Sequence, residues 1–393
     1  MTSTAEQMRA YRGPGILSFG FRPFFFGAAA WAALAVALWL PMLSGSLVLP
    51  TAFSPITWHV HELIYGYVPA VMAGFLLTAV PNWTGRLPVV GHRLLFLVLT
   101  WIAGRMAVLT SNVIGVGLAG AVDVSFLGLL SGFIAREILS GKDRRNLKVL
   151  AMVALLLVGN IVFHLEAAFD RASGFGTRIG IGATVLLIML IGGRIVPSFT
   201  HNWLVKRGTG RLPSPFGRFD EAAMVVSGIT LATWAAEPQH RITATLAVVA
   251  ALVNAGRVGR WAGYRTVAEP LVLILHAAFA FVPIGFALVA LGIARPDILA
   301  PTGALHAWTA GAIGLMTLAV MTRASLGHTG RPLTATRAIQ AIYVAALIAA
   351  LARILAAFSV LREPMLHLSA IAWVLAFGGF VAAYTPLLMR ARR

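Results

Sequence analysis

Apolar residues in this chain run in blocks of roughly 20, the length a helix needs to cross the hydrocarbon core of a bilayer. Polar residues collect in the short stretches between the blocks. The blocks fall at 24–42, 58–80, 94–112, 114–138, 148–168, 179–199, 221–236, 241–259, 269–291, 305–323, 336–358 and 367–389. This pattern predicts an all-α fold, a polytopic membrane helix bundle of about twelve transmembrane helices. It leaves one transmembrane domain over 1–393, with 1–20 as a cytoplasmic N-terminal segment and the bundle over 24–389. The first residues carry Arg9 and Arg12 and enter the first block without a small-residue cleavage site, so that helix is expected to stay.

Composition agrees with lipid as the solvent: 59% hydrophobic and 11% charged residues cannot cover a water-soluble globule of 393 residues. The net charge of +18 sits in loops, with basic stretches at Arg136–Lys148, Lys206–Arg218, Arg257–Arg265 and Arg323–Arg337. All four fall on one side of the predicted topology, and Lys and Arg favour the cytoplasm. Both termini are therefore expected in the cytoplasm of a cell with an inner membrane, although Arg171, Arg178, Arg241, Arg295 and Arg362 depart from the pattern singly. A nucleic-acid partner would need a basic soluble face or a recognition fold, and neither is visible.

Absence of cysteine removes disulfides, thioether-linked haem, iron–sulfur clusters and thiolate copper sites. Metal chemistry falls to ten histidines, a few carboxylates and the methionines, and imidazole suits iron, copper and zinc. Two groups of histidine emerge from the topology. His59, His61 and His306 lie where the second and tenth blocks enter from outside, and His201, His276 and His328 lie toward the inner side. Either set offers three imidazoles to a copper ion, and one or two opposed imidazoles can hold a haem iron in a bundle core. Residues i and i+2 of a helix point about 200° apart. His59 and His61 can thus share a metal only if the helix starts after them. His92, His164, His240 and His367 read as interfacial residues that only hydrogen-bond.

Ionisable residues inside the blocks mark functional sites by default. Arg105, Asp123, Arg194 and Arg353 qualify; Arg105 and Asp123 can form a buried pair, and Arg194 could meet a propionate or other anion near His201. A short echo, Gly85-Arg86-Leu87-Pro88, Gly210-Arg211-Leu212-Pro213 and Gly330-Arg331-Pro332-Leu333, recurs every four helices and would fit three four-helix units. The competing explanation is a common way of ending helices with Gly and Pro.

Several stretches resemble the NnrS family of haem- and copper-containing bacterial membrane proteins of nitric oxide metabolism. They are Gly20-Phe21-Arg22-Pro23-Phe24-Phe25, Trp58-His59-Val60-His61-Glu62, Gly74 through Gly85, Gly193-Arg194-Ile195-Val196-Pro197 and Met316 through Leu333. The resemblance implies an inner-membrane protein with haem, of b type, and copper, protecting against nitrosative stress and linked to denitrification. The placement of the histidines on the helices points to haem at His306 with His59 or His61 and copper at His201, His276 and His328, while which group takes which metal stays open. Two activities stay open: redox chemistry on nitric oxide or a nitrosyl complex, with a quinol as one possible donor, and transport or gas sensing without turnover.

Overall fold

A computed structural model describes residues 11–85, 88–140, 146–169, 174–358 and 361–390, with Asn82 described in its backbone only. Arg9, Arg171, Arg86 and Leu87 lie outside the described residues, as do positions 141–145 of the basic stretch between Arg136 and Lys148. The described residues are helical and contain no strand.

Among the described residues, twelve long helices follow the apolar blocks. They are α1 (Phe21–Leu43), α2 (Pro55–His61 continuing through Glu62–Tyr67 and Val68–Thr84), α3 (His92–Leu109), α4 (Val116–Ser140), α5 (Leu147–Ala168) and α6 (Phe175–Leu204). After these come α7 (Arg218–Ala236), α8 (Arg241–Gly259), α9 (Pro270–Ala294), α10 (Pro301–Ala304 continuing through Ala307–Leu315 and Met316–His328), α11 (Arg337–Leu355) and α12 (Arg362–Met389). Eleven are long and apolar enough to cross a membrane. The exception is α7, the expected seventh span. It opens on Arg218-Phe219-Asp220-Glu221, which lowers the hydropathy of a 19-residue helix.

The chain folds as two compact units. The first comprises Met1–Gly180, Ala324–Arg331 and Phe377–Arg393; the second comprises Ile181–Arg323 and Pro332–Ala376. In the first unit the Gly-Phe-Arg-Pro-Phe-Phe stretch does structural work. Arg22 Nη1 donates to the carbonyls of Leu387 (3.1 Å), Leu388 (3.0 Å) and Arg390 (2.5 Å), and so caps the C-terminal end of α12. Phe21, Phe24 and Phe25 are fully buried beside it. Gly20 is required by closeness, because an added Cβ would lie 2.6 Å from Leu77 Cβ.

Helix α2 begins earlier than its apolar pattern indicates. Ser54 Oγ accepts from Thr57 N at 3.2 Å and Pro55 takes the first helical position, the usual signals of a helix start. His59 and His61 are therefore already helical, which removes the arrangement in which both ligate one metal. Immediately after His61 the helix widens to i→i+5 turns over Glu62–Tyr67, and it ends on Gly85 in the left-handed conformation, φ 69°. In the second unit α10 does the same after His306, widening over Ala307–Leu315. Its wide turns pack Trp308 against Val282, whose carbonyl accepts from the indole Nε1 at 3.1 Å.

Candidate metal centre

A buried charge cluster occupies the first unit, assembled from five helices. Arg105 of α3 donates through Nη1 to Glu62 Oε2 of α2 at 2.5 Å and through Nη2 to Asp123 Oδ1 of α4. Trp31 of α1 donates through Nε1 to the same Glu62 oxygen at 2.7 Å. The other Asp123 oxygen, Oδ2, faces His61 Nε2 at 3.2 Å, His164 Nε2 at 3.0 Å and Asn160 Nδ2 at 2.8 Å. Asn160 and His164 are four residues apart on α5 and share a face. None of these seven side chains reaches solvent appreciably: His61 and Glu62 are 0% exposed, and the most open, Trp31 and His164, are 8% exposed.

The wide turn of α2 lets the neighbours His61 and Glu62 both face the cluster. Gly66, one turn on, leaves room for Arg105: an added Cβ would collide with Arg105 Nη1 and lie 2.8 Å from Glu62 Oε2. Its carbonyl is held by Trp101 Nε1 at 2.9 Å. Gly104 permits the approach of α3 to α4 at Asp123, where a Cβ would sit 2.9 Å from Oδ1. Phe53 and Phe163 pack against His61 at ring distances of 5.8 and 5.1 Å, closing the apolar wall.

Hydrogen-bond geometry fixes a proton count. His61 Nδ1 lies 3.0 Å from Glu62 Oε1, so both ring nitrogens of His61 face carboxylate oxygens. A neutral imidazole has one N–H and an ionised carboxylate only accepts. Without a cation, both contacts can be hydrogen bonds only with one proton beyond a neutral His61 and two carboxylates, as an imidazolium or a carboxylic acid. His61, Asp123 and His164 each present one ligand atom, all within 4.8 Å of one another, and they are the one such group among the described residues. A cation at this point would take the place of the donors now crowded on Asp123 Oδ2. His164 Nδ1 has no partner among the described residues, so its ring can be re-oriented without breaking a second bond.

The structure places the other expected residues as follows. His59 is half-buried with its ring stacked on Trp39 at 4.1 Å and 23°. His306 is half-buried, with Nδ1 3.3 Å from the Gly303 carbonyl. His328 is half-buried beside Phe19 and Phe21, whereas His201 and Arg194 are exposed. His276 is buried in the second unit. The Thr200 hydroxyl donates to the Val196 carbonyl at 2.8 Å, so His276 Nε2, 2.7 Å away, must be the donor to Thr200. His276 Nδ1 then carries a lone pair, and it has no partner among the described residues.

Pairing of Arg105 with Asp123 is as the sequence indicates, but the pair is part of a larger set. His164 is not interfacial: it is buried on Asp123, unlike His92, His240 and His367, which are exposed. Glu62 and Asn160 were also missed. The available signal was Glu62 itself, a carboxylate that already falls inside the 58–80 block.

These features define a multi-pass helical membrane protein with a buried cluster of metal-ligand type. The family model described as NnrS protein matches residues 15–392, nearly the whole chain, and the chain belongs to that family. It is thus a nitric-oxide-related membrane protein. No curated protein matches it.

Proposed function

We propose that the protein acts in the nitric oxide response as a metal-dependent redox protein, its metal held by His61 Nε2, Asp123 Oδ2 and His164 Nε2. The convergence of those three atoms within 4.8 Å, in a site with an excess carboxylate, carries the reading. Two imidazoles and a carboxylate suit copper, iron or zinc. A bound copper ion would supply one-electron chemistry toward nitric oxide or a nitrosyl species. The chain's own residues prepare the site. With Nε2 of His61 given to a metal, its one N–H stays on Nδ1 and donates to Glu62 Oε1, which orients the ring. Arg105 balances the two carboxylates, and metal uptake releases the extra proton.

Within the His59/His61 pair, His59 is the candidate for haem ligation, because both nitrogens of His61 are engaged in the cluster. The bare Nδ1 of His276 supports the copper assignment made for that residue. Termini on the cytoplasmic side of an inner membrane require α7 to cross as the partner of α8. Asp220 on α7 is paired with Arg257 and Arg260 at 3.0 and 3.3 Å, which offsets the cost of its charge. A reporter fused after Arg393 and active only outside the cytoplasm would contradict this.

Transport is the second reading, favoured by wide turns at matching positions of α2 and α10, since paired irregular helices are a mark of transporters. The redox reading ranks first because the ligand atoms are sealed from solvent and the wide turns stay helical, offering no unwound backbone to a substrate. Elemental analysis and an absorption spectrum of the purified protein, before and after nitric oxide, decide between them. A metal-dependent band that shifts is expected; a colourless, metal-free protein would sink the redox reading.

A further inference from the structure

Loops at one end of the α7–α8 hairpin form a built surface in the second unit. Arg265 donates through Nη1 to the Arg211 carbonyl at 2.6 Å and through Nη2 to the Thr209 carbonyl at 3.0 Å. Ser214 N donates to the Arg260 carbonyl at 3.0 Å, and Arg211 Nη2 to that of Gly259 at 3.3 Å. Gly210, at φ 137°, lies against the Arg265 guanidinium, 2.6 Å from where a Cβ would be, so a side chain here would be strained and would displace Arg265. The two loops are thus laced into one face.

Its chemistry is one-sided. Positions 205–218 hold Lys206, Arg207, Arg211 and Arg218 and no acidic residue, and positions 256–268 hold three more arginines and again no acid. Three carboxylates border these stretches: Asp220 is occupied by Arg257 and Arg260, Glu269 accepts from Leu271 N at 3.3 Å, and Glu221 is exposed, against seven basic residues. Lys206 and Arg218 are exposed and enter no ion pair among the described residues. Between the cations stand apolar side chains open to the surroundings: Val205 at 55%, Phe216 at 52%, Tyr264 at 68% and Val267 at 68% exposure. Cations interleaved with exposed aromatic and aliphatic groups at helix ends match the headgroup zone of a bilayer, where the apolar groups enter the acyl boundary and the cations meet phosphate.

We infer that this face binds the headgroups of anionic phospholipids. The full chain in a neutral detergent, titrated separately with phosphatidylglycerol, phosphatidylcholine and inorganic phosphate, tests it through the thermal unfolding midpoint. Phosphatidylglycerol raises the midpoint and the other two leave it unchanged. Lys206→Gln combined with Arg218→Gln, both exposed, halves the rise or more, and so does 1 M salt, where the Debye length is about 3 Å. An equal rise with phosphatidylcholine, an equal rise with inorganic phosphate, or a full rise in the double variant would each overturn the assignment. Native mass spectrometry of the unaltered chain gives a second reading that needs no variant. Phosphatidylglycerol adducts should outnumber those of phosphatidylcholine, and equal numbers would likewise overturn it.

Discussion

Each unit buries an arginine between helices, and the two sites have opposite charge balance. Around Arg105 there are two carboxylates, Glu62 and Asp123, so carboxylates exceed guanidinium groups by one. Around Asp220 there are two arginines, Arg257 and Arg260, and the excess is reversed. An excess carboxylate in an apolar interior demands a cation, which the first site meets with a shared proton on His61 or, as proposed, with a metal. Excess guanidinium in the second site is relieved differently. The Arg260 side chain is 31% exposed and reaches the surface, while Arg257 lies over the rings of Trp261 and Phe279 at 5.5 and 5.6 Å. On the proposed reading, the same pairing device builds a cation site in one unit and a structural clasp in the other.

Removing each arginine should separate the two roles most strongly. Arg105→Leu strands two buried carboxylates and is expected to cost about 3–5 kcal/mol, the range for breaking a buried pair. Arg257→Leu leaves Asp220 with Arg260, so its cost should fall below about 3 kcal/mol. Thermal unfolding of both variants in detergent checks this, and equal losses would break the comparison.

A finer probe uses the glycine that lies against each arginine. Gly66→Ala would push a methyl group into Arg105 Nη1, and Gly193→Ala would push one into Arg257 Nη2. Overpacking of this kind costs roughly 1–3 kcal/mol. Arg105 is pinned by both carboxylates, whereas Arg257 Nη2 has no partner among the described residues and can yield. Gly66→Ala should therefore sit at the upper end and Gly193→Ala at the lower, read from the same unfolding midpoints.

An exposed pair gives the smallest effect and the baseline. Hydrogen bonds from Arg295 at 2.7 and 3.0 Å hold the Asp297 carboxyl below its usual range. A lowered carboxyl pKa contributes stability above the unfolded pKa and loses it as pH falls through the folded one. Because the pair is fully exposed, solvent screens it. Asp297→Asn should leave the unfolding midpoint unchanged from about pH 7 to about pH 3. A measurable pH-dependent difference would show that charge pairs in this protein act even without burial.

The helices were largely legible because lipid imposes a simple rule: apolar runs of spanning length must be helical. For α8 the apolar run and the helix coincide at 241 and 259. Ends set by caps were less visible, as at Ser54, where a polar loop residue starts the helix before the apolar run begins. Arg105 and Asp123 were readable as a pair because charges inside spans must be compensated. His164 was not readable, since its role depends on which face of α5 meets α4, a choice that a nearly all-apolar helix does not encode by periodicity. The wide turns after His61 and His306 leave no mark that hydropathy could reveal. Their positions place Glu62 in the cluster, so although this carboxylate lies inside the 58–80 block, its pairing with Arg105, on which the charge excess depends, became evident only in three dimensions.

Metal content in His164→Ala protein tests the central claim most directly. His164 contributes one ligand atom, and its loss removes no charge from the Arg105 network, so the fold should survive. Elemental analysis of the purified unaltered chain and of the variant should differ by one metal equivalent per chain, with the metal lost from the variant. The same metal content in both would contradict a site at His61, Asp123 and His164.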